Sequence, residues 1–448
     1  MMNYNKTKIS VLIACAIMVS NPVFADDITD LKEEVAQMKA DYEQRIQQLE
    51  QRLAKAENET KAVQTEVAVV KATPPPKTPQ RSNSFNPAIS MVLNGQFSGY
   101  SKNTDNYLLN GFSLQQEAGL ATKGFSLGES ELTFSANIDQ ILAGQATFAL
   151  ADEDGATEIG IEEAFIETLG LGHGVTLRAG RFFSPIGYLN ERHAHAWNFS
   201  DAPLIYRGLF GDQLSTDGLK LSYVLPTEQL IELGGTVGNG NHYPGNGTHS
   251  DVGDWLVYAK TGADIGISHS WQASAAYWQS TPKDRAIGNG DSAVTFSGDT
   301  DISNLSFIYK WAPNGNPSQQ NFTLLTEYFY AHDDGKLIQG GSTHYNGKQY
   351  GGYIEGIYQF IPHWRTGVRY DQLGSSLKAS NIGFIQNANL NLSGDNPQRY
   401  SAMVEWLPSE FSRIRAQIDY DKSFTGNNDT QFFLQYTVNI GSHGAHTY

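Results

Sequence analysis

The sequence predicts an all-β protein: a 16-stranded antiparallel transmembrane β-barrel preceded by an N-terminal α-helical coiled coil. Two observations predict the barrel. Apolar and polar residues alternate along segment after segment from Ala88 onward, and the connections between these segments alternate between short and long. A third observation predicts how the chain crosses a membrane. After the N-terminal segment no stretch approaches 18 uninterrupted apolar residues, so a closed barrel remains as the membrane-spanning structure.

Residues 1–25 have the features of a signal peptide. Lys6 and Lys8 precede an almost wholly apolar stretch from Ile9 to Val19, and small residues follow at the cleavage positions. A lipoprotein cleavage box ending at Cys15 is the weaker alternative, because it leaves only about six apolar residues before the cut. Cys15 is the single cysteine, so disulfides, thiolate metal sites and cysteine catalysis are not expected in the exported chain.

Residues 26–72 predict a periplasmic coiled-coil helix. Apolar residues recur from Ile28 to Ala56 at spacings of three and four, with charged and amide residues between them, which is a coiled-coil seam. A single solvated helix is the alternative, but it would leave this narrow stripe in water. We therefore expect self-association, although the seam does not fix the number of helices. Residues 73–87 are rich in proline and predict a stiff linker.

Residues 88–448 predict the barrel itself, with about sixteen strands, an even number as in bacterial barrels. In the last two segments Ile418 and Leu434 alternate with Gln417 and Gln435. This pattern places apolar side chains against lipid and polar side chains in the lumen. A soluble β-sandwich also alternates, but it has no reason to turn apolar residues outward on nearly every strand.

Turn lengths and aromatic residues predict the orientation of the barrel. Short turns such as 225–229, 360–363 and 407–410 are interleaved with polar loops at about 101–127, 182–212, 239–253, 280–300, 332–348 and 372–397. Two girdles of aromatic residues follow the same division. Tyr277, Tyr330, Tyr350, Tyr370, Tyr400 and Tyr420 lie near long loops, whereas Trp311, Phe360, Trp364, Trp406 and Phe411 lie near short turns. We expect the short turns in the periplasm of a Gram-negative cell and the barrel in its outer membrane.

The charge balance disfavours one class of partner. The formal charge is −16, and residues 73–448 alone carry −14. Nucleic acid is not expected as a partner, because phosphate binding needs a basic face. A lumen with a net negative charge would favour the passage of cations or would be weakly selective.

The segment from Arg178 to Arg207, which begins Arg-Ala-Gly-Arg-Phe-Phe-Ser-Pro-Ile-Gly, resembles the phosphate-selective porins of the outer membrane. Their fifth strand likewise ends in a glycine and proline pattern before a long loop that carries Glu and Arg. The resemblance implies a homotrimeric porin whose third loop, here 182–212, folds into the lumen. The pore constriction it implies consists of Arg181, Glu191, Arg192, His193, His195, Asp201 and Arg207. This loop has no lysine, which departs from the basic pores of the family and weakens the case for phosphate.

Alternation also predicts which charged residues face the lumen. These positions carry both signs: Lys220, Lys260, Lys310, Arg365, Arg369, Arg413 and Arg415 against Glu129, Glu131, Glu232, Glu327, Glu355, Asp371, Glu405 and Asp419. We expect Arg365, Arg369, Arg413 and Arg415 to form a basic pore wall, with Glu327 and Glu355 as acidic wall residues. Opposed walls would impose a transverse field on a passing solute.

His193 and His195, beside Glu191, are candidate metal ligands, since imidazole and carboxylate suit zinc or copper. The alternative is two loop histidines bonded to backbone or water, because spacing names no third ligand. His443 and His446 form a similar, weaker pair. Glu162 and Glu163 are not expected to act together, because neighbours on a strand face opposite sides.

The function expected from these features is passive, weakly selective diffusion of small hydrophilic solutes or ions, without a cofactor. The sequence contains no nucleophile motif, so we do not expect an enzyme. Two alternatives remain: a structural outer-membrane anchor or adhesin that contacts the cell wall through the coiled coil, and a zinc import channel that uses His193 and His195. The expected partners are outer-membrane lipid and further copies of the chain in a homotrimer.

Overall fold

The computed structural model describes residues 87–441, except 105–106, 115–117, 154–155, 247–251, 289–292, 391–395 and 424–427. The predicted signal peptide and coiled coil, nearly all of the linker, and the pair His443 and His446 lie outside the described residues. Among the described residues, no helix combines the length and the apolar character needed to span a bilayer.

The described strands form one sheet in which the paired strands are antiparallel. Their bounds are β1 Ala88–Tyr100, β2 Gly124–Leu127, β3 Ser130–Asn137, β4 Leu142–Glu153, β5 Ala156–Thr168, β6 Val175–Phe183, β7 Ser215–Val224, β8 Leu230–Gly238, β9 Asp254–Ile265, β10 His269–Ser280, β11 Arg285–Ala286, β12 Thr295–Trp311, β13 Asn321–Ile338, β14 Ser342–Ile361, β15 Trp364–Ala379, β16 Gln398–Ser409, β17 Ser412–Asp421 and β18 Asp429–Gly441.

The sheet is a closed antiparallel barrel of sixteen strands, which confirms the barrel part of the predicted fold class. Strand β1 pairs with β18 from Ser90 opposite Gly441 to Tyr100 opposite Gln431, so the sheet closes on itself. Strands β2 and β3 both pair with β1 and are two pieces of one barrel strand. Strand β11 has two residues and pairs only with the start of β12. The remaining segments match the sixteen predicted strands.

Side-chain exposure follows the predicted alternation. In β17 and β18, Ile418 and Leu434 are 52% and 44% exposed. Their neighbours Gln417 and Gln435 are 1% and 4% exposed. A soluble protein buries its apolar residues and exposes its polar ones, and these two strands do the reverse. The outer surface is therefore suited to lipid and the interior to water and polar groups.

Aromatic residues predicted to form girdles are neighbours across the sheet. Tyr400 lies directly between Tyr370 and Tyr420 on the adjacent strands, and the rings of Tyr370 and Tyr400 are 4.9 Å apart. At the short-turn ends Trp364 faces Trp406, with ring centroids 6.2 Å apart. Such belts are typical of the two edges of a membrane-embedded barrel.

The prediction of a loop at 332–348 is wrong, because most of these residues belong to strands. Strands β13 and β14 continue as a hairpin, and only residues 339–341 lie between them. The reason lies in the interior of the extension. Leu337 and Tyr345 are fully buried and pack with Phe296 and Ile385 in an apolar cluster, so apolar burial favours continued strand beyond the girdle.

Two short helices complete the described structure, α1 at Leu204–Phe210 and α2 at Gly383–Asn387, with 3-10 turns at Ala194–Ala196 and Pro313–Gly315. All seven residues of α1 are buried, and α1 packs against β14 and β15. The largest apolar cluster joins α1 to residues of the wall and of the first loop, among them Leu109, Phe112, Trp278 and Phe329. The segment between β6 and β7 therefore occupies part of the lumen.

Candidate functional site

The candidate site is the segment 184–214, which leaves β6 and returns to β7; we call it the lumen loop. It enters the lumen at Gly187, which has a φ of 83°. A Cβ atom here would lie 2.8 Å from Oε1 of Glu327 and 3.0 Å from Cζ of Phe329. Both the backbone conformation and the lack of space require glycine. The loop can therefore pack tightly against β13 at its start.

Four arginines of the wall hold the middle of the lumen loop by its backbone; we call them the arginine clamp. Arg369 of β15, Arg399 of β16, and Arg413 and Arg415 of β17 each donate a hydrogen bond to a loop carbonyl oxygen. The four acceptors are the carbonyl oxygens of Asp201, Ala202, His195 and Trp197, at 2.9, 2.7, 2.6 and 2.7 Å respectively. An irregular backbone inside a barrel needs such partners for its polar groups.

Asp201 is the ionic centre of this clamp. Its carboxylate accepts from Nη2 of Arg369 at 2.9 Å, from Nη2 of Arg207 at 3.3 Å and from Nη1 of Arg399. Nε2 of Gln417 donates a further bond at 2.8 Å. Burial alone would raise the pKa of the Asp201 carboxyl, but Arg399, Arg369 and Arg207 outweigh burial and hold this pKa well below the usual range. The carboxylate therefore stays ionised.

Glu405 is a second buried acid with three arginine partners. Nη2 of Arg415 donates to Glu405 at 2.8 Å, Nε of Arg365 donates at 2.9 Å, and Nε of Arg413 lies 3.5 Å away. The four arginines expected to form a basic wall are each paired with a buried acid, Glu405 or Asp201. These arginines hold the lumen loop and its supporting acids in place. Loss of one partner of a buried ion pair would leave an uncompensated charge and is therefore costly.

Glu327 holds the start of the loop, and no cation among the described residues forms a salt bridge with it. It is 2% exposed and accepts hydrogen bonds from the hydroxyl groups of Tyr206, Tyr353 and Ser306 at 2.8, 2.6 and 2.6 Å. The backbone N–H of Tyr188 also donates to it. The other predicted acidic wall residue, Glu355, accepts from Nδ2 of Asn198 at 2.7 Å. Both acids therefore contact the lumen loop.

Glu191 fixes a third part of the loop through two lysines of the wall. Lys220 of β7 lies 3.3 Å from Oε1, and Lys260 of β9 contacts Oε2. Burial would raise the pKa of the Glu191 carboxyl, but the two lysines outweigh it and lower that pKa. The loop is thus bonded to β7 and β9 as well as to β13 to β17.

His193 and His195 lie against a group of carboxylates on β3 and β5. Nδ1 of His193 is 2.9 Å from Glu162 Oε2, and its Nε2 is 3.2 Å from Glu163 Oε2. Nδ1 of His195 is 2.6 Å from Glu131 Oε1. The two imidazole rings stack, with centroids 5.6 Å apart. The partners of both histidines are thus carboxylates, which no sequence spacing indicated.

The two histidines differ in the direction in which their surroundings shift the pKa. Burial opposes a charge on His193, but its bonds to Glu162 and Glu163 outweigh burial and raise the pKa of His193 well above its usual range. Burial lowers the pKa of His195 to about 3, and the neighbouring His193 and Arg413 contribute to this lowering. At neutral pH His193 is therefore the charged imidazole and His195 the neutral one.

The expectation that Glu162 and Glu163 face opposite sides is wrong. Strand β5 contains a β-bulge against β4, where Thr147 pairs with Glu163 and the next residue, Phe148, pairs with Ile161. Glu162 is the extra residue of this bulge. An extra residue interrupts the strict alternation of a strand, and both carboxylates consequently reach His193.

Arg181 does not join the residues that the structure brings together in the lumen. Its guanidinium forms two hydrogen bonds with Asp217 of β7, at 2.6 and 2.9 Å. Asp217 lies on the same face of β7 as the exposed Leu219 and Leu221, and Lys220 lies on the opposite face. Arg181 therefore lies on the outward row of the strand, whereas the other predicted constriction residues belong to the lumen loop.

The lumen loop borders a cavity of about 1240 Å³ that opens toward the short turns. Arg192, Lys310, Arg365 and Arg413 line the cavity together with His195, Trp197 and Asn198. The guanidinium of Arg192 lies over the Tyr188 ring, 4.3 Å from its centroid. Within the described part of the chain, neither Arg192 nor Lys310 forms a salt bridge with a carboxylate. Two unpaired cations therefore face this water-accessible space.

Three residues that are central to the clamp were not among the predicted site residues: Arg399, Asp371 and Glu405. Arg399 precedes the outward Tyr400 in β16, so alternation alone could have identified it as inward. Asp371, which accepts a hydrogen bond from Nε of Arg369 at 3.1 Å, and Glu405 were expected to face the lumen, but no pattern in the sequence indicated that they pair with the arginines. These pairs join strands and a loop that are far apart in sequence.

Comparisons with known proteins bear on the fold. No protein-family model matches the sequence. An uncharacterized protein of Aquifex aeolicus (strain VF5) is 28% identical over 401 residues, covering 83% of this chain and 82% of the relative. The outer membrane channel DcaP of Acinetobacter baumannii has a TM-score of 0.50 at 10% identity, over 79% of this chain and 96% of that one. An anion-selective porin from Comamonas acidovorans has a TM-score of 0.46 at 10% identity, over 79% and 98%. The likeness to DcaP shows a shared barrel fold.

Proposed function

We propose that this chain is an outer-membrane porin that lets small hydrophilic solutes or ions diffuse passively, with weak selectivity, through a water-filled barrel. The lumen loop, predicted as 182–212, would be its constriction. One observation carries the proposal. Buried ionic contacts bond an irregular loop to the polar inner wall of a sixteen-stranded barrel whose outer face is apolar.

A sixteen-stranded barrel is wide enough to leave an aqueous channel unless something narrows it. The lumen loop is bonded to the wall through Asp201, Glu191 and Glu327. Such contacts hold the loop in one position without filling the whole lumen. A fixed constriction with charged residues around it gives a size limit and a weak charge preference.

The sign of that preference depends on local charges more than on the sum over the chain. The net charge of −14 counts exposed loop residues together with paired acids in the lumen. Arg192 and Lys310 face the cavity without a carboxylate partner in the described structure, and field lines are concentrated in such a cleft. The proposed channel therefore has a weak preference for anions on the short-turn side.

The location and assembly of the porin form part of the same proposal. The predicted signal peptide supports export, and the two aromatic girdles support insertion in the outer membrane with the short turns in the periplasm. The predicted coiled coil at 26–72 would then lie in the periplasm and supports self-association, and the resemblance to the phosphate-selective porins supports three chains. Chemical crosslinking in native membranes tests this, since deletion of 26–72 should reduce the yield of trimer.

Current through a planar lipid bilayer tests the function. Purified, refolded full-length protein should produce discrete conductance steps, and the step size should scale with the conductivity of the bathing salt. Barrels that are intact by electrophoretic mobility but pass no current would contradict the proposal. They would favour the alternative role of an outer-membrane anchor or adhesin.

A further inference from the structure

The bulge in β5 places two adjacent carboxylates beside an imidazole of the lumen loop. Glu162 Oε2 is 2.9 Å from Nδ1 of His193, and Glu131 Oε2 of β3 is 3.2 Å from the same nitrogen. One potential ligand atom from each of these three side chains lies within 4.8 Å of the other two. The three residues come from two strands and the loop.

These separations suit direct coordination of one ion. Zinc binds nitrogen and carboxylate oxygen at about 2.0 to 2.2 Å. Two such ligands at a tetrahedral angle then lie about 3.3 Å apart, from the same bond lengths. The two distances from Nδ1 are close to that value, so a metal ion would need only small side-chain movements.

The surroundings of His193 match those of a metal ligand. Its second nitrogen, Nε2, lies 3.2 Å from Glu163 Oε2. Metal-ligating histidines usually donate this second N–H to a carboxylate or carbonyl group, which fixes the ring orientation. Glu163 is itself held by the backbone N–H of Phe183 at 3.2 Å. Glu131 is held through its other oxygen by His195 at 2.6 Å.

The charge of the group also calls for a cation. Glu131, Glu162 and Glu163 are at most 9% exposed. Three buried carboxylates thus face two imidazoles. Buried carboxylates need partners of opposite sign or a metal ion, and a divalent cation would supply such a partner.

We propose that Glu131, Glu162 and His193 bind a divalent first-row transition-metal ion, with Glu163 and His195 as outer hydrogen-bond partners. The ligand set of two carboxylates and one imidazole suits zinc, manganese or ferrous iron. The ion would be resident and structural, and it would bond the lumen loop at residue 193 to β3 and β5. This differs from a pair of histidine ligands, because His195 contacts Glu131 and supports the site from outside.

Zinc titration of the full-length barrel in detergent, after treatment with a chelator, tests the site directly. Calorimetry should show one zinc ion per chain at this site. Glu162→Gln and His193→Gln should weaken binding at least 100-fold, and Glu163→Gln should weaken it about 10- to 100-fold, as for other outer partners. Glu167→Gln is the matched control, because this carboxylate lies on the same strand and pairs with Arg178 at 2.7 Å.

Two further measurements keep the test decisive. His443→Ala with His446→Ala should leave binding unchanged; loss of binding would assign the zinc to the terminal histidines and overturn the proposal. Cu²⁺ bound to the unaltered protein should show electron spin echo modulation from the remote nitrogen of one imidazole ligand. Two imidazole ligands, or no binding at all, would refute the site even if a variant failed to fold. None of these readouts depends on current, so they are independent of the proposed porin function.

Discussion

Arg369 contacts Asp201 twice, through both the side chain and the backbone of the aspartate. Its Nη2 donates to the carboxylate at 2.9 Å, and its Nη1 donates to the carbonyl oxygen at 2.9 Å. The planar guanidinium group presents several donors in a fixed geometry. One wall residue therefore fixes both the position and the orientation of the lumen loop, which has little secondary structure of its own here.

Asp201→Asn should release the lumen loop. The substitution keeps the size of the side chain but removes the negative charge shared by Arg207, Arg369 and Arg399, which are all buried. An uncompensated buried charge costs about 3 to 5 kcal/mol of unfolding free energy. We expect lower stability in urea unfolding of the refolded barrel, and a larger, noisier single-channel current.

Asp217→Asn provides the control for this prediction. Asp217 also pairs with an arginine, Arg181, but both side chains are about 30% exposed. They lie on the outer face at the long-loop ends of β6 and β7, where a change of charge costs little because the membrane interface is near. We expect a stability change below about 1 kcal/mol and a current like that of the unaltered protein. Equal effects of the two substitutions would show that the loop is not held by Asp201.

The contribution of Asp201 should not change with pH in the mildly acidic range. Its pKa is depressed in the folded barrel, so the stability it supplies is present above the unfolded-state pKa of about 3.9. That stability is lost only as the pH falls through the lower, folded-state value. The difference in unfolding free energy between the unaltered protein and Asp201→Asn should therefore be constant from pH 7 to about 5 and shrink only in stronger acid. A decline already between pH 7 and about 6 would contradict the depressed pKa.

Gly187→Ala should disrupt the start of the lumen loop. The new Cβ would contact Glu327 and Phe329 in a backbone conformation that L-residues rarely adopt. Gly340 is the matched control, because it has a φ of 62° but open space within 4 Å of the place where a Cβ would stand. Gly340→Ala should cost about 1 kcal/mol from the backbone alone, and Gly187→Ala clearly more. Urea unfolding of both variants measures the difference, and equal costs would show that space at Gly187 is not limiting.

Alternation predicted most of the barrel because one physical contrast, between an apolar outer face and a polar inner face, recurs from strand to strand. It therefore identified the strands that carry Ile418 and Leu434 and the inward position of Arg369. It failed where the backbone departs from regular pairing. The bulge at Glu162 reversed the expected direction of one side chain. No local sequence pattern in β5 predicts this bulge.

The partners of the lumen loop could not be predicted for a different reason. Asp201 contacts Arg369 and Arg399, which are 168 and 198 residues away along the chain. A single sequence carries no information on which of several inward arginines lies opposite a given loop residue. The resemblance to porins indicated that the loop folds inward, whereas the identity of each ion pair required the three-dimensional structure.

Replacement of both unpaired cations of the cavity should shift ion selectivity toward cations. Arg192→Gln with Lys310→Gln removes the two positive charges that face the cavity without a salt bridge in the described structure. Lys336→Gln with Lys378→Gln removes the same charge at the long-loop end. Reversal potentials across a salt gradient should move for the first pair and stay nearly constant for the second. Equal shifts would show that net charge decides the selectivity.

Spin labels on two adjacent strands test the membrane position of the barrel. Ile418 and Leu434 are exposed on the outer face, and Gln417 and Gln435 are buried on the inner face. In lipid vesicles, labels at Ile418 and Leu434 should be accessible to oxygen, which dissolves in acyl chains. Labels at Gln417 and Gln435 should have low accessibility to oxygen, because both positions face the polar interior. Because both sites of each kind lie on neighbouring strands at similar depth, the contrast reports the facing direction alone, and its reversal would contradict the barrel's orientation toward lipid.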